Sequence, residues 1–191
     1  PVETYSTNLL GTVHVLEAVR LTKSVRSAVI VTTDKCYENH ESNTGYRETD
    51  QLGGHDPYSN SKACAELATD SYRRAFLRGN GTAAVASARA GNVIGGGDWA
   101  RDRLIPDLVR AAVAGTQLVL RNPKSTRPWQ HVLEPVSGYL MLAQRLWDDR
   151  ARYAEAWNFG PRDSDARTVE EVVALAARGW GGGLKWAVDT G

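Results

Sequence analysis

The chain is poor in cysteine: Cys36 and Cys64 are its only two among 191 residues. Neither sits in a C-x-x-C pair and no histidine cluster accompanies them, which argues against a disulfide framework or a zinc site. They read as reduced thiols of a cytoplasmic protein. Long apolar runs are missing too, and no stretch approaches the length of a transmembrane helix. There is no excess of one charge. A formal net charge of +1 gives no electrostatic footprint for nucleic acid or an anionic membrane, so an anionic ligand must be held by a few local cations. Internal repeats and low-complexity segments are likewise lacking.

What is present suits a globular protein of one domain or one and a fraction: 42% of residues are hydrophobic and 24% charged, enough to build a real core. Residues Pro1 to Ser6 read as neither a Met start nor a leader, and Trp186 to Gly191 stop without a closing element. Both ends therefore predict a fragment. The sequon Asn80-Gly81-Thr82 reads as a turn after a helix.

Periodicity orders the middle. Leu9, Val13 and Leu16, widened by Leu10, Val15 and Val19, predict a helix from Thr7 to Leu21. Ala28 to Thr33 is continuously apolar and β-branched until its end, as a strand buried on both faces should be. A polar loop runs from Glu38 to His55. Asp56-Pro57, an N-cap followed by a proline at the first helical position, opens a helix that runs to about Arg78 and stops at Gly79-Asn80-Gly81. Thr82 to Ala88 is a second buried strand. Further helices are expected over Arg103–Ala114, Val136–Trp147 and Thr168–Arg178, with short strands at Leu118–Leu120 and Ala156–Phe159. Helices alternating with buried strands predict an α/β fold, a parallel sheet covered on both faces. Elements are long and regular up to Gly95 and short thereafter, which fits a small second lobe over residues 96–191.

Two groups of residues carry chemistry. Tyr58 and Lys62 are four apart on a helix and share one face. A free tyrosine has a pKa of about 10 and is a poor base at neutral pH. An ammonium one turn away favours the phenolate, so the pair can remove a proton from an alcohol. Alone, the pairing is common on solvated helices. Thr33-Asp34-Lys35 lies where the first buried strand ends, and ligands of open α/β sheets bind outside the carboxyl ends of strands. Ordinary strand-end polarity is the plainer reading of that triplet by itself. Gly95-Gly96-Gly97-Asp98-Trp99-Ala100 formally matches a dinucleotide fingerprint, but no acidic residue follows at the required distance. It is read as a turn that offers backbone amides to substrate.

A Ser/Thr at a strand end followed by Y-x-x-x-K on the next helix resembles the catalytic core of the short-chain dehydrogenases/reductases. Asn8-Leu9-Leu10-Gly11-Thr12, Arg89 to Gly95, Leu104-Ile105-Pro106, Arg127 to Val132 and Asn158-Phe159-Gly160 resemble, in order, further motifs of the extended branch. Thr32-Thr33-Asp34-Lys35-Cys36-Tyr37, together with the Gly95–Trp99 run, resembles the sugar-nucleotide 4,6-dehydratases, and within them the CDP-glucose type. The resemblance implies a partial Rossmann-like doubly wound sheet. Residues 1–95 would be the C-terminal half of an NAD-binding domain, its glycine-rich loop lying upstream. Residues 96–191 would be mostly a substrate-binding lobe, with some strands returning to the sheet.

The same resemblance implies roles. NAD is the expected cofactor, held in part by Tyr58 and Lys62, and a nucleotide sugar the expected substrate. Tyr58 takes the proton of the sugar C4 hydroxyl, Thr33 holds that oxygen, and Lys62 tunes Tyr58. Asp34, kept protonated, gives its proton to the departing C6 hydroxyl. Lys35 is either the base for the C5 proton or a structural partner of Asp34. Asn92, Arg103, Leu104, Arg127 and Asn158 are the expected substrate contacts, Arg127 because its planar fork suits phosphate. Trp129 and His131 read as packing residues. The 7–21 and 57–78 helices, the latter carrying Ala63, Leu67, Tyr72 and Phe76, are expected to pair with their copies in a homodimer. No metal is expected. Two other readings stand beside this one: another dehydratase or epimerase of the same branch, which product analysis separates, and a fragment that binds or self-associates without turnover.

Overall fold

The computed structural model describes residues 1–40, 44–79, 81–181 and 183–189. Helix α1 (Val2–Tyr5) runs through a π-helical stretch (Ser6–Leu10) into α2 (Gly11–Leu21), so the helix begins earlier than its apolar stripe indicates. Strand β1 (Ser27–Val31) follows, then a 3-10 turn (Asp34–Cys36) and the loop toward α3 (Pro57–Phe76). The expected cap is present: the Asp56 carboxylate accepts from the backbone N–H groups of Tyr58 and Ser59 at 2.9 and 3.1 Å. Helix α3 ends at Phe76; Asn80 of the expected stop signal lies outside the described residues. Strand β2 (Ala84–Ala90) and β3 (Val93–Ile94) come next. Helix α4 (Leu104–Ala114) is closed by Gly115 in the left-handed region, φ 66°. There follow β4 (Gln117–Leu120), β5 (Thr126–Arg127), β6 (Gln130–His131), α5 (Leu133–Asp148), α6 (Arg150–Tyr153) and β7 (Ala156–Phe159). The last elements are β8 (Arg167–Thr168), α7 (Val169–Gly179) and β9 (Lys185–Val188); α7 starts with a reciprocal capping box between Thr168 and Glu171.

These elements form two compact units. The first comprises Pro1–Gly91 and Leu133–Gly160. Its sheet has the order β1-β2-β7, all parallel, with Ile30 opposite Ser87 and Arg89 opposite Asn158. Strand β2 is central. Ala84, Ala86 and Ala88 meet Leu142 and Leu146 of α5 on one face, while Val85 meets Leu16 of α2 and Leu77 beyond α3 on the other. The alanines let α5 lie close to the sheet. A closer approach still occurs at Gly138, where a Cβ would stand 2.4 Å from the Phe159 ring. The α/β architecture with helices on both faces is as expected. Strand β1 differs in burial: it is an edge strand here, and Val31 is 48% exposed where burial on both faces was expected.

The second unit comprises Asn92–Val132 and Pro161–Gly191. Leu108, Ala111, Leu118, Leu120, Val173 and Leu184 make its core. Strand β9 pairs parallel with β4, Trp186 opposite Leu118, where no strand was expected. Strands β3 and β6 pair in parallel, and β5 and β8 antiparallel. Among the described residues no helix is long and apolar enough to cross a membrane.

Candidate active site

The site grows from the end of β1. The ladder continues one residue past the strand, through Thr32 N–H to Ala88 C=O at 2.8 Å. Thr33 is still extended and buried, and the chain then tightens into the Asp34–Cys36 turn. The Thr33 hydroxyl donates to the Asp34 carboxylate at 3.2 Å and accepts from Lys35 N–H at 3.4 Å. Cys36 and Tyr37 are buried against Ala63 of α3, which fixes the turn beside the helix carrying Tyr58. Burial pushes the Cys36 thiol up to about 12, so it is no nucleophile.

Helix α3 presents Tyr58 in its first turn, 44% exposed, and Lys62 one turn on. Burial holds the Lys62 ammonium below the usual lysine range, and Glu66, a further turn on, works in the opposite direction. Among the described residues neither side chain makes a hydrogen bond, so both keep their full capacity for a ligand. The loop before the helix abuts its first turn through Gly54, φ 149°. Asp34 and Lys35 form no ion pair with each other. Lys35 instead lies in the field of Asp56, whose carboxyl is held low chiefly by the Ser59 hydroxyl and backbone, with Lys35 contributing.

Behind these groups lies a buried polar network that sequence reasoning missed. Glu66 accepts from the hydroxyl of Thr32, from Ser87 Oγ at 2.6 Å and from Arg89 Nη2 at 2.7 Å. Arg89 Nη1 donates to the Tyr37 hydroxyl at 2.7 Å and to the Glu48 carbonyl at 3.2 Å. Tyr37 donates to Asn158 Oδ1 at 2.6 Å, and Asn158 Nδ2 donates to the Tyr46 carbonyl at 2.9 Å. Burial works against the Arg89 charge, but the hydrogen bond and field of Glu66 outweigh it and hold the guanidinium well above its usual range. The available signal was spacing: Tyr58, Lys62 and Glu66 recur every fourth residue on one helical face.

Thr33, Asp34, Lys35, Tyr58, Lys62 and Asn158 thus belong to the first unit, with the first five on the packed turn and α3. Asn158 has its amide engaged at both ends. Asn92, Arg103, Leu104 and Arg127 belong to the second unit. Asn92 C=O accepts from Gln130 N–H, Arg103 pairs with Asp98 at 3.0 Å, Leu104 opens α4 against the core, and Arg127 is exposed on β5. Trp129 Nε1 donates to the Arg167 carbonyl at 3.2 Å. The Gly95–Gly97 run is a turn, with Gly97 at φ 82° and Gly95 against Val132; no helix opens from it directly, since α4 starts at Leu104.

A family model described as the NAD dependent epimerase/dehydratase family matches residues 1–160. CDP-glucose 4,6-dehydratase of Salmonella typhimurium is 53% identical over 196 aligned residues, 99% of this chain and 54% of that protein. The chain therefore spans about half the length of that curated relative. Among solved structures, dTDP-glucose 4,6-dehydratase from Bacillus anthracis in complex with NAD matches with a TM-score of 0.74 at 26% identity, over 98% of this chain and 57% of that one. UDP-glucuronic acid 4-epimerase from Bacillus cereus in complex with UDP-glucuronic acid and NAD matches with a TM-score of 0.79 at 16% identity, over 96% and 55%, a likeness of fold alone. Since the family match takes in the parallel sheet, the Thr33 turn and the Tyr58 helix together, the chain belongs to the NAD dependent epimerase/dehydratase family.

Proposed function

We propose that the whole protein dehydrates a nucleotide-activated hexose, CDP-glucose, to its 4-keto-6-deoxy product, with NAD as cofactor. The observation that carries the reading is the turn Thr33-Asp34-Lys35, which sets an acid next to the strand-end hydroxyl and packs on the helix of Tyr58 and Lys62. The 53% identity to a CDP-glucose 4,6-dehydratase supports the choice of nucleotide. The donor set fits a dinucleotide: an exposed phenol and a half-buried ammonium, both without hydrogen bonds, suit ribose hydroxyls. Bound NAD supplies the two-electron acceptor, and later donor, for the sugar carbons.

The protein's own residues do the remaining work. Lys62, cationic one turn from Tyr58, favours the phenolate, and Tyr58 takes the proton from the C4 hydroxyl. Thr33 holds that oxygen by hydrogen bond. Once C4 is a ketone, the C5 proton is acidic. Asp34, in its protonated form, delivers a proton to the C6 oxygen as water leaves. Lys35, next on the turn and drawn toward the Asp56 carboxylate, takes the C5 proton as that water leaves and returns it to C5 when the hydride goes back to C6. Arg127 offers an exposed fork for the diphosphate, with Asn92, Arg103 and Leu104 as further substrate contacts. Asn158 serves the site through Tyr37, since both ends of its amide are already used.

We infer a homodimer as well. Leu10, Val15 and Leu21 of the first helix and Leu67 and Phe76 of α3 are exposed apolar side chains suited to a helical interface. Ala63 is buried within the chain and contributes no exposed surface, while Tyr72 is partly buried against the cluster that contains Leu16 and Leu77. The test of function compares kcat/KM for CDP-glucose, dTDP-glucose and GDP-mannose in the whole protein, with product identification. A 4-keto-6-deoxy sugar formed fastest from the CDP substrate is expected. Equal values, or a preference for dTDP-glucose, defeat the nucleotide assignment, and a C4 epimer as product defeats the dehydratase reading.

A further inference from the structure

The Glu66 carboxylate is the most heavily engaged buried acid among the described residues, and the mechanism above gives it no task. It is 2% exposed and Arg89 is 4% exposed. An ion pair this deep is weak evidence for stability, because desolvating two charges offsets much of their attraction, and apolar residues of similar volume often serve as well. This pair is not even fully satisfied, since Arg89 Nε is buried without a hydrogen-bond partner. What the pair does instead is connect. Glu66 stands on α3 and bonds Thr32 at the end of β1 and both Ser87 and Arg89 of β2. Thr32 precedes Thr33 in extended chain, so their side chains point to opposite faces and anchoring one aims the other. Arg89 extends the connection to Tyr37, the residue after the Asp34–Cys36 turn.

We propose that Glu66 is a positioning residue for the reaction: clamped by Arg89, it fixes the strand end that carries Thr33 through Thr32 and sets a negative charge one turn along α3 from Lys62. The inference rests on the function proposed above for Thr33, Tyr58 and Lys62. The elements packed on α3 carry other charged or titratable groups: Asp34, Lys35 and Cys36 on the turn, Arg89 on β2, His14, Glu17 and Arg20 on α2, and Glu3 and Tyr5 on α1. Glu66, one turn along the same helix, works on Lys62 against the effect of burial. Its charge favours the ammonium that Tyr58 requires. Removing that charge lets Lys62 lose its proton at lower pH, so the alkaline limb of the rate profile must move down.

The test is Glu66→Gln in the whole protein, with kcat/KM measured from pH 6 to 10. Gln keeps the shape but not the charge, and its single amide oxygen can accept on one side only, from Thr32 or from Ser87 and Arg89. At helical i to i+4 spacing a downward shift of the alkaline limb by about one pH unit is expected. Glu66→Asp, which keeps the charge but shortens the reach, is expected to lower kcat at least tenfold while the limb stays in place. Activity-independent competitive acylation of Lys62 across the same pH range, read by peptide mass spectrometry, should show the same downward shift in Glu66→Gln. Because that measurement needs no substrate, it decides the Glu66–Lys62 coupling even if the whole protein fails to dehydrate CDP-glucose. Should Glu66→Gln not fold, Glu66→Gln/Arg89→Gln removes both buried charges, and a smaller downward shift is expected because the opposing field of Arg89 goes with that of Glu66. A folded variant of either kind whose alkaline limb and Lys62 labelling midpoint coincide with the parent's overturns the proposal and leaves Glu66 a structural residue.

Discussion

Replacing Gly54 with alanine should damage both stability and catalysis, because the glycine presses directly on the first turn of the helix that carries Tyr58. At φ 149°, Gly54 lies where L side chains rarely go. A Cβ there would stand 2.6 Å from Asn60 N, 2.7 Å from Ser59 C and 2.8 Å from Ser59 Cβ. Two of those atoms are helix backbone, so no rotamer change relieves the clash. The unfavourable backbone region costs about 1–3 kcal/mol and the overpacking about 1–3 kcal/mol more. A total of about 2–6 kcal/mol is expected. Any relief requires the loop and the helix start to separate, which moves Tyr58 against Thr33; a displacement of about 1 Å at a catalytic group can cost on the order of 10²-fold in rate. Urea denaturation and kcat of the whole protein measure the two effects. Gly96→Ala is the control, since a Cβ there meets nothing within 4 Å, and its stability should stay within about 0.5 kcal/mol of the parent. A Gly54→Ala protein with the parent's urea midpoint and kcat would refute the contact between loop and helix on which the argument stands.

Asp34→Asn should spare formation of the 4-keto sugar but slow loss of water by about 10²–10⁴-fold, so quenched single turnovers should accumulate a 4-keto sugar that retains its C6 hydroxyl. If elimination proceeds at the parent rate, Asp34 is not the acid. Leu146→Ala opens a cavity under the β2 alanines, at a residue 1% exposed, and should cost about 2–5 kcal/mol in chemical denaturation; a loss below 1 kcal/mol would mean that α5 collapses onto the sheet. Cys36, with its thiol pushed up to about 12, has a thiolate fraction on the order of 10⁻⁴ at pH 8 and should stay unlabelled by a thiol reagent until the protein is unfolded. Rapid labelling of Cys36 in the native protein, read by peptide mass spectrometry, would contradict its burial.

The long elements were legible because burial writes itself into them. Leu16 on α2 and Leu108 on α4 follow the helical period, and Asp56-Pro57 announces the start of α3. The strands β3, β5, β6 and β8 were not legible, since each has two residues and owes its existence to a distant partner rather than to a local pattern. Strand β9 was hidden for the same reason: Trp186 reads as a lone aromatic until Leu118 is found opposite. At the site, the residues meant to touch ligand stand out as motifs at strand and helix ends. Glu66 did not. A glutamate in a helix looks solvated, and only the return of β2 with Arg89 and Ser87 shows that it is buried.

The alanine-rich central strand also bears on the order in which the protein folds as it is made. Strand β2 pairs with β1, which leaves the ribosome before it, but its other neighbour β7 and its cover α5 are synthesised only after the first stretch of the second unit. Until then one edge and one face of β2 are bare. Distant pairing of this kind is slow to form and exposes nascent chains to aggregation. The sequence Ala84-Val85-Ala86-Ser87-Ala88-Arg89-Ala90 keeps that waiting surface small and only weakly apolar, with its larger Val85 turned toward the helices already made. A strand of valines and isoleucines would hold the finished sheet more strongly and would be a stickier nascent chain.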